Sequence, residues 1–274
     1  MVFKELIYVV DAGVAIVTFN RPDRLNSFTY SMEIELGQAL TAAAADDSVR
    51  VIILTGAGRG FCGGREMNLL SNFATQGKIE NPPDAPPPVE FSGSARPDFK
   101  TRFTYFASLP KPIIAAVNGP CAASGLIYAL ACDLRFAGSN AFFTTTFSER
   151  GLTAESGLAW TLPRLVGHGN AMDMLLSSRR VHADEALRLG LVERVFPQES
   201  LMQETLAYAH HLATKISPRS MRIMKRQVWD GLFQTLQESY KEGAAEIVAS
   251  MDTEDFREGV NSFREKRSPK FTGR

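Results

Sequence analysis

Ile113–Val117 is a run of five apolar residues, closed in front by Lys111-Pro112 and behind by Asn118-Gly119-Pro120. A short run without polar alternation fits a strand covered on both faces. The segment just beyond it constrains the chain most. Ala122-Ala123-Ser124-Gly125 carries no bulky side chain, and an apolar helix is expected from there to about Ala131. A strand that ends in small residues at a helix start leaves the first N–H groups of that helix without intrahelical acceptors. They sit at the positive end of the helix dipole, where negative charge is stabilised. Alone, such a turn is an ordinary tight connection between strand and helix.

The chain repeats the device earlier. Val49–Thr55 is a second buried strand, and it runs into Gly56-Ala57-Gly58-Arg59-Gly60-Phe61-Cys62-Gly63-Gly64-Arg65-Glu66-Met67, with a helix expected from near Arg65. No GxxxxGK[ST] is present, and the glycines are not read as a phosphate cradle. Around these two units, Leu6–Val10 and Val14–Phe19 flank Asp11-Ala12-Gly13 as a hairpin. Asn20–Phe28 is a polar loop in which Pro22 opposes a helix. A helix over about 31–45 is expected, capped by Thr29 or Ser31, with Glu33 and Glu35 near its positive end.

Residues 76–98 hold six of the fourteen prolines and read as an irregular surface loop. Beyond the second unit, strands are expected over Asp133–Ala137 and Ala141–Phe147, then a loop over 148–157 and a helix containing Trp160. Helices are expected next at about 170–177, 183–189, 199–216, 218–230, 233–250 and 253–266. Strands alternating with helices early, and helices late, give an α/β class.

Composition removes several functions. Lys plus Arg and Asp plus Glu number 30 each among 274 residues, so no basic field argues for nucleic acid. The three cysteines, Cys62, Cys121 and Cys132, have no CxxC or Cys/His spacing. A disulfide framework and a structural zinc site are therefore not expected, and no metal site is predicted. Residues 1–20 carry acids, and no apolar run of 18 residues exists, so neither a signal peptide nor a membrane span is expected. A cytoplasmic location fits these features.

Three segments together resemble the crotonase (enoyl-CoA hydratase/isomerase) superfamily: Asn20-Arg21-Pro22-Asp23-Arg24-Leu25-Asn26-Ser27, Gly60–Met67, and Lys111-Pro112 through Ala123-Ser124-Gly125. Leu162-Pro163-Arg164-Leu165-Val166-Gly167 and Ala186–Val192 agree in order and spacing. The resemblance covers about 1–270. It implies a spiral of ββα units over 1–200 with the acyl-CoA site, and a helical oligomerisation region over 201–274. It also implies a homo-trimer or hexamer that binds acyl-CoA thioesters, with coenzyme A as part of the substrate and no separate cofactor.

By the resemblance, the backbone N–H groups of Arg65 and Ser124 hold the thioester oxygen. Arg24, Gly64, Gly125, Phe263 and Lys266 are the other positions expected to meet the CoA ester. The family's hydratases use two glutamates, and those positions fall here on Ile127 and Phe147, neither of which can move a proton. Glu155, in Thr153-Ala154-Glu155-Ser156-Gly157, resembles the single catalytic glutamate of some Δ3,Δ2-enoyl-CoA isomerases. With Phe147, Leu152 and Trp160 around it, its carboxyl is expected to be desolvated and its pKa raised. The reading is therefore double-bond isomerisation by Glu155. The alternatives are hydration by Glu155, alone or with Glu149, or an acyl-CoA binder without chemistry.

Overall fold

A computed structural model describes residues 2–76 and 96–274. The proline-rich stretch therefore lies outside the described residues, except at its ends. Strands β1 (Leu6–Asp11) and β2 (Val14–Phe19) pair antiparallel, with Leu6 opposite Phe19 and Asp11 opposite Val14. The turn residues Ala12 and Gly13 both take positive φ, 43° and 86°, the geometry that follows the twist of a tight hairpin.

Helix α1 (Tyr30–Ala45) is capped by Thr29, whose Oγ1 accepts from the Met32 N–H at 3.0 Å. Met32, Leu36, Ala39, Leu40 and Ala43 recur at helical spacing and are its buried face. The loop before it is not wholly irregular. Pro22–Arg24 makes one 3-10 turn with proline in its first position, where the missing N–H costs nothing.

Next come β3 (Val51–Gly56), α2 (Met67–Gln76), β4 (Ile113–Val117), β5 (Cys121–Ala122), α3 (Ser124–Ala131), β6 (Leu134–Gly138) and β7 (Phe142–Thr144). The chain continues through α4 (Leu158–Val166), α5 (His168–Ser177), β8 (Val181–His182), α6 (Ala183–Leu189) and β9 (Arg194–Phe196). It ends with α7 (Leu201–Lys215), α8 (Pro218–Gly231), α9 (Leu236–Met251) and α10 (Glu254–Arg264). Helix α2 starts two residues later than expected because Arg65 is held in an extended bridge with Phe28. The strand expected over Ala141–Phe147 shortens to β7, since Thr146 takes a positive φ of 58° and ends the extended run.

The larger sheet has the order β1-β2-β3-β4-β6-β9 and is parallel beyond the first pair. Every residue of β3 and β4 is buried, as strands covered on both faces must be. One face packs on α1 and α3 through Phe19, Leu36, Leu54 and Leu126. The other packs on α7 through Val51, Ile53, Ile114, Leu201 and Ala209. A small second sheet, β5-β7-β8, is extended by single bridges between Cys62 and Cys121 and between Phe28 and Arg65. Both small-residue turns thus lie in this second layer, above the ends of β3 and β4.

The helical back half is tied to the same strands. Asp133 accepts the Ile113 N–H at 2.8 Å, pairs with Lys225 Nζ at 2.8 Å, and accepts the Trp229 indole N–H at 3.0 Å. Among the described residues, no helix is long and apolar enough to cross a membrane.

Asn118 closes the end of β4 onto the first turn. Its Nδ2 donates to the carbonyls of Gly56 and Gly58, both at 2.9 Å, and its Oδ1 accepts the Gly56 N–H at 3.3 Å. Asn118→Ala leaves the buried N–H and carbonyl of Gly56 without these partners. The expected cost is about 2–3 kcal/mol of stability, read as a lower denaturant midpoint with unchanged far-UV circular dichroism.

Candidate active site

The first turn is pinned from two sides. Asn118 holds Gly56 and Gly58, and Asn26 Nδ2 donates to the carbonyls of Ala57 at 3.0 Å and Gly60 at 2.7 Å. The chain then runs extended past Phe28. The Phe28 N–H donates to Gly64 O at 2.7 Å, and the Glu66 N–H donates to Phe28 O at 3.2 Å. Along an extended segment, successive residues turn their backbone groups to opposite sides. The Arg65 N–H therefore faces away from Phe28, and among the described residues it makes no hydrogen bond. Gly58, Gly60 and Gly63 do carry the GxGxxG spacing. However, they lead into this bridge and not into a helix, so the phosphate-binding arrangement is absent.

The second turn lies against the first. The Ala122 N–H donates to Cys62 O at 3.0 Å, and the Ala123 N–H donates to Thr144 O at 3.1 Å. Helix α3 then begins at Ser124, whose own N–H makes no hydrogen bond among the described residues. A side chain at Gly125 would put its Cβ 2.3 Å from Cys62 O, a separation no real atom pair tolerates. Gly64 takes a φ of 95°, and a Cβ there would stand 3.1 Å from that of Ala123. The two turns can meet only because these positions lack side chains, and the two free N–H groups belong to the residues next to that contact.

A cavity of about 310 Å³ extends from Ile127, three residues beyond Ser124. Its walls include Phe103, Leu130, Leu158, Trp160, Trp229 and Phe233. Trp160 and Phe233 stack at 5.3 Å between ring centroids, and Phe99 meets both Trp229 and Phe233 edge-on at 5.9 and 5.8 Å. Asp98 is the acidic side chain in the lining, and it pairs with Arg96 at 3.3 Å. Sequence reasoning missed Asp98, Phe99, Phe103, Trp229 and Phe233. The only signal was the four-residue spacing of Phe99 with Phe103 and of Trp229 with Phe233.

Ile127 and Phe147 are buried, so the two positions where a hydratase would place acids are apolar in fact as well as in sequence. Glu155 does not sit as expected. Its side chain is exposed, and Leu152 beside it is 47% exposed. Its neighbours Ser156 and Gly157 line the cavity, but Glu155 does not. The reason is local. Residues 152–155 have no regular structure, and Ser156 and Gly157 turn the chain with φ of 55° and 80° into α4, leaving Glu155 outside that turn. The expected burial among Phe147, Leu152 and Trp160 is not found. Glu149 is likewise exposed, in a 3-10 turn over Ser148–Arg150.

The sequence model of the family described as enoyl-CoA hydratase/isomerase matches residues 10–274. The chain belongs to this family. It is 36% identical to a Mycobacterium tuberculosis protein named probable enoyl-CoA hydratase EchA12, covering 94% of this chain and 89% of that one. It is 35% identical to the 1,2-epoxyphenylacetyl-CoA isomerase of Escherichia coli, covering 97% of each. Its fold superposes on the crystal structure of an enoyl-CoA hydratase from Bacillus anthracis with a TM-score of 0.85 at 27% identity, over 99% of this chain and 100% of that one. The two sheets and their crossovers are therefore the crotonase spiral, and members of this family act on acyl-CoA thioesters.

Within that family frame, the remaining site residues are dispersed. The Arg65 guanidinium lies 5.3 Å from the ring centroid of Tyr30, and Arg102, paired with Glu33, lies 5.8 Å from the same ring. Arg24 is exposed on its 3-10 turn near the first unit. Phe263, 86% exposed, and Lys266 stand at the end of α10, which packs on α9; neither lines the cavity.

Ala123 takes φ 47° and ψ −115°, a region costly for any residue with a Cβ. Ala123→Gly removes that strain and adds unfolded-chain entropy. The expected net gain is about 1 kcal/mol, seen as a higher unfolding midpoint with the turn otherwise unchanged.

Proposed function

We propose that this family member shifts a double bond within an enoyl-CoA, from the 3- to the 2-position. The observation that carries the reading is the residue content around the two turns. Two backbone N–H groups have no acceptor among the described residues, the hydratase acid positions are Ile127 and Phe147, and one carboxylate sits on the segment that enters the cavity wall at Ser156. In this reaction Glu155 takes a proton from C2 of the 3-enoyl thioester. Charge moves onto the thioester oxygen as the dienolate forms, and the same proton returns at C4, so no other reactant is consumed. The N–H groups of Arg65 and Ser124 stabilise the charged oxygen, each by roughly 3–4 kcal/mol if they act as measured oxyanion donors do. Glu155 must swing inward from its exposed position to reach C2, and the irregular backbone of 152–155 is the element that permits it.

Arg24 and the Arg65 guanidinium are suited to the CoA phosphates, and Gly64 and Gly125 give the thioester its approach to the two turns. Phe263 and Lys266 are assigned to the CoA of a neighbouring copy. Exposed apolar side chains on α8 to α10, among them Val228, Leu236, Ile247 and Val248, favour further copies of this chain as their cover, as a trimer or hexamer.

A relative named probable enoyl-CoA hydratase favours the second reading, hydration by Glu155, alone or with Glu149. The exposure of Glu155 favours a third, binding of acyl-CoA without turnover. Purified protein supplied with 3-hexenoyl-CoA and 2-hexenoyl-CoA separates the three. Under the proposal, 2-enoyl product forms from the first substrate, and Glu155→Gln slows it by at least about 100-fold while ester binding persists. Formation of 3-hydroxyacyl-CoA as the main product, or tight binding with no turnover of either ester, overturns it.

A further inference from the structure

We propose that the side-chain hydroxyl of Ser124 is a third donor to the thioester oxygen, beside the two backbone N–H groups. This rests on the reading of the paired turns as the holder of that oxygen. Ser124 is the first residue of α3 and 1% exposed, and its Oγ is buried with no hydrogen-bond partner among the described residues. A buried hydroxyl left without a bond costs about 1–3 kcal/mol, and in native structures such a group calls for a specific explanation.

The surroundings show why the protein itself does not satisfy it. A serine within a helix ordinarily bonds back to the carbonyl four residues earlier. Here that residue is Pro120, outside the helix, and its carbonyl already accepts the N–H groups of Phe61 and Cys62, both at 3.1 Å. The hydroxyls of the adjacent segment are occupied as well. Thr144 Oγ1 donates to Ser178 O at 2.6 Å, and Thr145 Oγ1 donates to Met174 O at 2.9 Å. Ser124 Oγ is outside these bonds, as is the Tyr128 hydroxyl one helical turn on, which is also buried without a partner among the described residues.

Covalent geometry places the hydroxyl. Oγ is three bonds from the backbone nitrogen of the same residue, so the two atoms lie about 3–3.7 Å apart in any staggered rotamer. The nitrogen carries a free N–H at the positive end of α3, and an oxygen bound to that N–H is within one χ1 rotation of the hydroxyl. The neutral thioester oxygen already accepts weakly from the hydroxyl beside the two N–H groups. As the dienolate forms, the oxygen gains charge and this third bond strengthens. The hydroxyl thus acts mainly in the transition state, which raises kcat with little effect on KM. No proton is transferred; the hydroxyl only donates a hydrogen bond.

Ser124→Ala and Ser124→Gly both remove the hydroxyl and keep the backbone N–H. Each is expected to lower kcat for 3-hexenoyl-CoA by about 10–100-fold, to leave KM nearly unchanged, and to keep or raise the unfolding midpoint. The deciding measurement needs no turnover. It is the infrared C=O stretch of carbonyl-labelled butyryl-CoA, a saturated ester, bound to wild type and variants. A stretch lowered more by wild type than by both variants supports the third donor. The same stretch in all three overturns it, whatever happens to kcat, and so does a loss of stability in both variants, which would make the hydroxyl structural. If wild type lowers the stretch but isomerises nothing, the proposed reaction fails and the third donor stands. If wild type does not bind the ester, both fall.

Discussion

The site depends on one close contact, the backbone of Cys62 against Gly125. Two strand-to-helix connections, more than fifty residues apart in sequence, come together there because neither has a side chain in the way. The bond from the Ala122 N–H to Cys62 O and the bridge between Cys62 and Cys121 hold the contact. The proposed chemistry depends on it. Ser124, just before Gly125, offers a helix-terminal N–H, and Arg65, three positions beyond Cys62, offers an N–H turned away from its bridge partner. A pair of rigid main-chain donors needs no side-chain ordering when charge develops, which is the condition for strong electrostatic stabilisation.

The support of these turns is polar and the floor beneath them apolar. Asn26 and Asn118 tie the first turn through its carbonyls. Phe19, Phe28, Phe61 and Tyr128 pack below, with ring centroids 4.6–6.4 Å apart. Ala123, at the junction itself, holds a costly backbone conformation. A backbone held in a costly conformation at the point where two free N–H groups converge is what a fixed binding geometry would require.

Much of this was legible in the sequence because it is local. Small-residue runs between an apolar strand and an apolar helix declare themselves within a dozen residues, and so does the hairpin at Ala12-Gly13. The caps were legible for the same reason, although Thr29 and Ser31 could be separated only by the bond to Met32. Strands β5, β8 and β9 were missed because two or three residues carry no periodic signal. Glu155 was misjudged because burial belongs to the tertiary structure. Its aromatic neighbours in sequence are Phe147 and Trp160, but the turn at Ser156-Gly157 points it elsewhere. The aromatic wall was invisible for a related reason, since Phe99 and Phe233 meet across well over a hundred residues of chain.

That wall has a consequence of its own. The groups proposed to hold the thioester oxygen come from 62–65 and 121–125, whereas much of the cavity is shaped by 99–103 and by Trp229 and Phe233, anchored through Asp133. Under the proposed reading, with the acyl chain in this cavity, two different parts of the gene write the reaction and the choice of acyl group. Drift in the aromatic segments can retune which ester fits while the donor pair stays intact, so diversification of substrate need not pass through inactive intermediates.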